Sequence, residues 1–214
     1  MQALRAQMNP HFIFNCLTSI NRFILKHDML SASDYLTKFS RLIRMVLNHS
    51  KQPIISLEDE LEMLKLYLDM EKLRFKEAFV YCIAMGKEVD ASGIFIPPLL
   101  LQPFVENAIW HGLMHKDGQG RLEIGLSLEG EVLVCNIVDD GVGRTVAAAV
   151  TSKSAEKQKS MGIGITRQRL ALVNGNQAGE NGLLIEDLYD GTGRPAGTRV
   201  ILRIRVREAI DRVS

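Results

Sequence analysis

Apolar residues recur at helical spacing through the first third of the chain. Ile13, Leu17, Ile20 and Ile24 fall at i, i+4, i+7 and i+11, which is one stripe of a helix. Leu36, Phe39, Ile43 and Val46 form a second stripe. Ser56 stands where an N-cap is needed, with Asp59 at the capping-box distance. A third helix follows, with Leu57, Leu61, Leu64 and Leu68 as its buried face. Stripes this narrow do not fill a core alone. Pairing across a two-fold axis into a four-helix bundle buries them, and an ordinary intramolecular bundle is the alternative.

After Phe75 the period changes. Residues 80–85 read as a strand, and Pro98 is placed to open a helix reaching about Met114. Two alternating runs, 121–128 and 131–139, are split by Glu129-Gly130 and predict a hairpin. The Ser/Lys-rich stretch 151–160 reads as a loop, 165–173 as a helix, and 183–189 and 199–206 as the last strands. The expected fold is α+β: a helical region over residues 1–75, then an α/β sandwich over residues 76–214.

Composition narrows this picture only modestly. The 214 residues carry 26 basic and 25 acidic side chains, a net charge of +1, which gives no electrostatic case for nucleic-acid binding. Cys16, Cys82 and Cys135 stand far apart with no Cys-x-x-Cys pair, so they read as reduced thiols in a cytosolic setting. The longest apolar run, near 94–105, is broken by Pro97, Pro98, Gln102 and Pro103 and is too short to span a bilayer. No signal peptide is visible. His111 and His115 share a zinc-compatible i, i+4 spacing, but no third ligand stands nearby in the sequence.

Candidate chemistry concentrates in four places. Asp139 closes a predicted strand ahead of Gly141 and Gly143. A carboxylate there can accept from the exocyclic amine of adenine, and the glycines let the backbone turn tightly beside a ring. A plain strand-ending turn is the other reading. Asn107 offers an amide oxygen of the kind Mg²⁺ takes beside water and phosphate, and His111 lies one turn on along the same face. Read alone, Asn107 is more simply a polar helix residue. Gly162 and Gly164 precede a predicted helix, where free N–H groups hold phosphate. No Walker A sequence is present. In the first helix, Asn9 reads as N-cap, Pro10 as first helical residue and His11 as a first-turn imidazole, with Asn15 at i+4. A neutral imidazole is a nucleophile near pH 7, and the helix N-terminus favours the negative charge of a phosphohistidine.

The ordered set comprises Asn-Pro-His-Phe-Ile-Phe-Asn at 9–15, Glu-Asn-Ala-Ile-Trp-His-Gly at 106–112, Asp-Asp-Gly-Val-Gly at 139–143 and Gly-Ile-Gly at 162–164. It resembles the LytS-type sensor histidine kinases, and the resemblance spans about Leu4 to Val206. It implies a helical dimerisation region bearing the acceptor His11, with Asn15 orienting the ring or phosphate. It further implies a Bergerat-type ATP domain. ATP would be held by Asn107, His111, Asp139, Gly141, Gly143, Gly162, Gly164 and Thr198, with Asn107 on Mg²⁺ and residues 145–160 as the ATP lid. The implied partners are a second copy of the chain and a response regulator, often of LytTR type. The implied setting is the cytoplasmic end of an inner-membrane sensor whose upstream part is missing here.

Two departures from the family pattern bear on chemistry. Related hydrolysing ATPases carry a water-activating Glu four residues before the metal-binding Asn, where this chain has Pro103. Water attack is then slow, while phosphoryl transfer, which rests on positioning and charge neutralisation, remains open. Many histidine kinases also place an acid directly after the acceptor, where this chain has Phe12, leaving Glu106 as a candidate base. The rival readings are a degenerate, nucleotide-binding dimeric scaffold and a serine-kinase or anti-sigma-type regulator on the same ATP fold. The latter needs no Pro-His-Phe helix.

Overall fold

The structure is a computed structural model and describes residues 10–144, 164, 166–171, 173–175 and 182–206, with side chains from Phe12 onward. Helices α1 (Pro10–Leu25) and α2 (Met29–His49) form an antiparallel hairpin. Asp28 caps α2 by accepting the Ser31 N–H at 3.1 Å. The expected stripes are only partly the inward ones: Val46 is buried and Ile20 and Phe39 pack against the core, but other members are not. Phe12, Cys16, Ser19 and Phe23 face inward on α1, as do Ala32, Tyr35, Leu42 and Val46 on α2. Leu17, Ile24 and Leu36 remain 50%, 44% and 48% exposed. Aromatic area decides the rotation. Phe12 meets Tyr67 at 5.6 Å and Phe39 at 6.5 Å, and Phe23 meets Tyr35 at 5.9 Å, so Leu17 and Ile24 are turned outward.

Strand β1 (Ile55–Ser56) leads into α3 (Leu57–Arg74). Ser56 Oγ accepts the Asp59 N–H at 3.1 Å and donates to Asp59 Oδ2 at 2.8 Å, as the capping pattern predicts. Leu57, Leu61, Leu64 and Leu68 are buried as expected, but so are Glu60, Met63, Tyr67, Met70 and Glu71. The reason is position: α3 packs against the α1–α2 hairpin on one side and against β1 and β2 (Phe79–Met85) on the other. Strand β3 (Phe95–Ile96), absent from the sequence reading, pairs antiparallel with β1.

The helix expected from Pro98 begins instead at Gln102, as α4 (Gln102–Asn107). Leu99 is left-handed at φ 56°, and the buried Glu60 carboxylate accepts the N–H groups of Leu99 at 2.6 Å and Leu101 at 3.0 Å. A side chain 39 residues upstream thus claims the donors a helix would have left free. From α4 the chain continues into a π-helical turn, Ala108–Gly112, and a 3₁₀ turn, Leu113–His115.

The main sheet has the order β2-β4-β5-β7-β6, with β4 (Gly120–Glu129), β5 (Val132–Asp139), β6 (Leu183–Tyr189) and β7 (Pro195–Arg205). β2 runs parallel to β4, and every other pair is antiparallel. Period-2 burial puts Leu122, Ile124 and Leu126 of β4 with Leu133, Cys135 and Ile137 of β5 in the core. The fold is α+β, an N-terminal helical region and an α/β sandwich joined by one continuous apolar cluster from Phe12 to Val206. Among the described residues, no helix is long and apolar enough to cross a membrane.

Candidate functional site

Sheet register builds a cleft. Across β5, β7 and β6, Asp139 pairs with Thr198 and Thr198 with Asp187, a polar row at one end of three strands. Two residues on, Ile137, Val200 and Ile185 make an apolar row on the same face. Phe104, Asn107, Ala108, His111 and Gly112 close the opposite wall, leaving about 500 Å³ of space open to solvent. Arg144 stands at the rim, forked onto Asp187 by two bonds of 2.7 Å, and this contact raises its pKa.

The helical wall approaches the sheet without side chains between them. A Cβ on Gly141 would meet the Gly112 carbonyl carbon at 2.4 Å and its Cα at 2.5 Å, and a Cβ on Gly112 would meet Asp139 Oδ1 at 2.6 Å. Position 141 therefore needs glycine, a side chain at 112 would have to displace the Asp139 carboxylate, and the Val142 N–H closes the contact on Gly112 O at 3.3 Å. Gly143 turns the chain away with φ +75°.

Asp139 is 4% exposed, and its Oδ1 accepts the Gly141 N–H at 3.0 Å. Its neighbour Asp140 does different work: one oxygen takes the Arg121 N–H at 2.7 Å and the other pairs with Lys116 at 2.7 Å. The two consecutive acids thus divide into a cleft residue and a loop tie. Glu106, half-buried on α4, has its pKa raised by burial and accepts from Gln102 Nε2 at 2.8 Å.

The structure brings Asn107, His111, Asp139, Gly143 and Thr198 onto one cleft. Gly141 stands behind it against Gly112. Gly164 is helical and half-buried, while Gly162 and the stretch 145–160 expected as a lid lie outside the described residues. Pro10 and His11 open α1 as expected, with Asn15 one turn on, and the Asn9 cap lies outside the described residues. Sequence reasoning missed Gly112, Arg144 and the apolar floor. Gly112 closes the 106–112 motif and carried a legible signal as a glycine inside a helical run. Arg144 and the floor depend on strand register, which the sequence does not print.

Among the described residues no three His, Cys, Asp or Glu side chains gather into a metal cluster. Asn107 is an amide-oxygen donor in the cleft lining, of the kind Mg²⁺ accepts beside phosphate and water.

A histidine kinase family model matches residues 1–79. The sensor histidine kinase BtsS of Escherichia coli (strain K12) is 31% identical over 208 residues, 97% of this chain and 34% of that protein. The sensor protein LytS of Oceanobacillus iheyensis is 33% identical over 181 residues, 83% of this chain and 29% of that protein. The chain spans about a third of the length of these sensor kinases. The catalytic domain of histidine kinase ThkA aligns at 11% identity over 71% of this chain and 93% of that domain, with a TM-score of 0.45. Through the family-model match over residues 1–79 and sensor-kinase relatives of about 30% identity along most of its length, the chain is similar to the LytS-type sensor histidine kinases.

Proposed function

We propose that this chain binds Mg-ATP in the cleft, transfers the γ-phosphoryl group to His11, and passes it on to a response regulator aspartate, the regulator being of LytTR type. One observation carries the reading: a buried, backbone-anchored Asp139 stands at the head of an apolar floor, faced by Asn107 and His111. An adenine ring fits such a floor and offers its amine to the carboxylate. Asn107 would hold Mg²⁺. His111, Thr198 and the backbone at Gly141, Gly143, Gly162 and Gly164 would take the remaining nucleotide contacts.

In the transfer step a His11 ring nitrogen forms the P–N bond while the P–O bond to the departing ADP breaks. The proton on the other ring nitrogen is then lost. Phe12 is packed against Tyr67 and holds no base, so that proton goes to solvent and the step is slow. Asn15, at i+4, orients the ring. Pro103 sits in the first turn of α4, where the hydrolysing relatives keep a base, and this disfavours water as acceptor.

The division of labour we assign is residues 1–75 for dimerisation and phosphoacceptance and 76–214 for ATP binding, with α3 packed against both. Phe14, Leu17, Ile24 and Leu25 are exposed along α1, and we assign them to the partner copy of a homodimer. The whole receptor would place this chain on the cytoplasmic side, below an upstream membrane-bound sensor.

Incubation with γ-labelled Mg-ATP tests the reading. Label should be acid-labile, base-stable and absent from His11→Gln, while Mg-ATP affinity in that variant is unchanged. Acid-stable label on serine, or label persisting in His11→Gln, refutes the mechanism.

A further inference from the structure

Trp110 lies outside the cleft lining, between Asn107 and His111 in the chain, and it is the only tryptophan. Its indole is gripped from two directions. The Arg74 guanidinium carbon lies 4.5 Å from the ring centroid, and Phe75 meets the ring edge-on at 5.2 Å. The indole also hydrogen-bonds the fully buried Tyr67 hydroxyl.

Both grips continue to the helix that carries His11. Tyr67 packs at 5.6 Å on Phe12, the residue after His11. Arg22, on the last turn of α1, donates from Nη2 to the Arg74 carbonyl at 2.6 Å. Glu71, fully buried on α3, holds Arg74 at 3.5 Å. Two short relays therefore run from α1 through α3 to one ring: Phe12–Tyr67–Trp110 and Arg22–Arg74–Trp110. Residues flanking that ring in sequence line the nucleotide cleft.

Resting on the kinase reading above, we infer that Trp110 is a positioning residue that couples the acceptor helix to the nucleotide site. The placement of α1 sets the indole, and the indole sets the phase of the π-helical turn that carries His111 on from Asn107. A guanidinium stack and a single hydroxyl acceptor are directional contacts, so a small displacement of α1 changes them more than it would a purely aliphatic interface.

The experiment uses the full chain, Mg-ATP as probe, and Trp110 emission as an intrinsic reporter. Arg22→Ala removes one relay's first link, and Tyr67→Phe removes the indole's acceptor while keeping the ring. Each should shift the emission maximum of nucleotide-free protein and leave KM for ATP unchanged. Each should also lower kcat for His11 labelling about tenfold, within the usual range for coupling between sites. Arg22→Lys, which keeps a donor, should recover part of kcat. A melting midpoint like the native one separates coupling from unfolding. If the native chain binds and labels while both variants match it in emission and kcat, the coupling is wrong and the kinase reading stands. If emission stays fixed while kcat falls, or KM rises in step with the kcat loss, coupling through Trp110 is also wrong. A native chain that neither binds Mg-ATP nor labels refutes both.

Discussion

Gly112→Ala tests the cleft at the point where the helix meets the sheet. The added methyl would stand 2.6 Å from Asp139 Oδ1, whereas ordinary contact begins at 3.4 Å. The carboxylate must retreat by about 0.8 Å to reach such a contact distance. That oxygen now accepts the Gly141 N–H at 3.0 Å, and the retreat takes the bond beyond any useful length. A hydrogen bond to a charged group contributes about 1.5–3 kcal/mol. If Asp139 must be held by that bond to read adenine, Mg-ATP affinity falls about 10- to 150-fold. Titration calorimetry on the native chain, Gly112→Ala and Gly191→Ala measures this. Gly191 is the control, because a Cβ there meets nothing within 4 Å. The reasoning fails if Gly112→Ala binds within about twofold of native while melting cooperatively, since overpacking alone costs about 1–3 kcal/mol of stability.

Stability should fall as pH rises from 5 to 8. Burial raises both Glu60 and Glu71 from 4.5 to about 7, so the unfolded chain releases these protons first; each carboxyl removes about 3 kcal/mol by pH 8, and denaturant midpoints at the two pH values check it. Glu71→Gln should remove about half of that slope, because an uncharged amide replaces one of the two titrating groups. Leu17→Glu with Ile24→Glu should convert a dimer to a single chain of 23.9 kDa by light scattering without loss of helicity, and an unchanged assembly mass would show that α1's outer stripe is not the interface.

The helices and the strands from β4 onward were legible because each carries its own period and its own punctuation, as at Ser56 and at Glu129-Gly130. The faces of α1 and α2 were not. Ile13, Leu17, Ile20 and Ile24 and the interleaved Phe12, Cys16, Ser19 and Phe23 are both helical stripes, and only the partners Tyr35 and Tyr67 decide which turns inward. The start of α4 was hidden because Glu60, remote in sequence, captures the N–H groups of Leu99 and Leu101. Asn107, His111, Asp139 and Thr198 were legible as motif residues, whereas Arg144 was not. Its floor was not, because Ile137, Val200 and Ile185 become neighbours only once three strands share a register.

The π-helical turn at Ala108–Gly112 makes the length of this segment as informative as its composition. Such a turn holds one residue more than the α-helical turn it replaces, and such turns cluster where a helix must re-aim its side chains. Losing one residue here would let the turn relax to regular helix with its exit phase nearly kept, whereas a further added residue would rotate everything beyond it by roughly 100°, the angle per residue at 3.6 residues per turn. Gly112 would leave Asp139, and a bulkier neighbour would be driven into the loop at Gly141. Substitutions along 106–112 therefore probe single contacts, whereas a one-codon insertion probes the phase of the whole wall. In a library of variants, the fully buried Ile109 should accept only apolar exchanges of similar volume, and the stretch should accept no added residue.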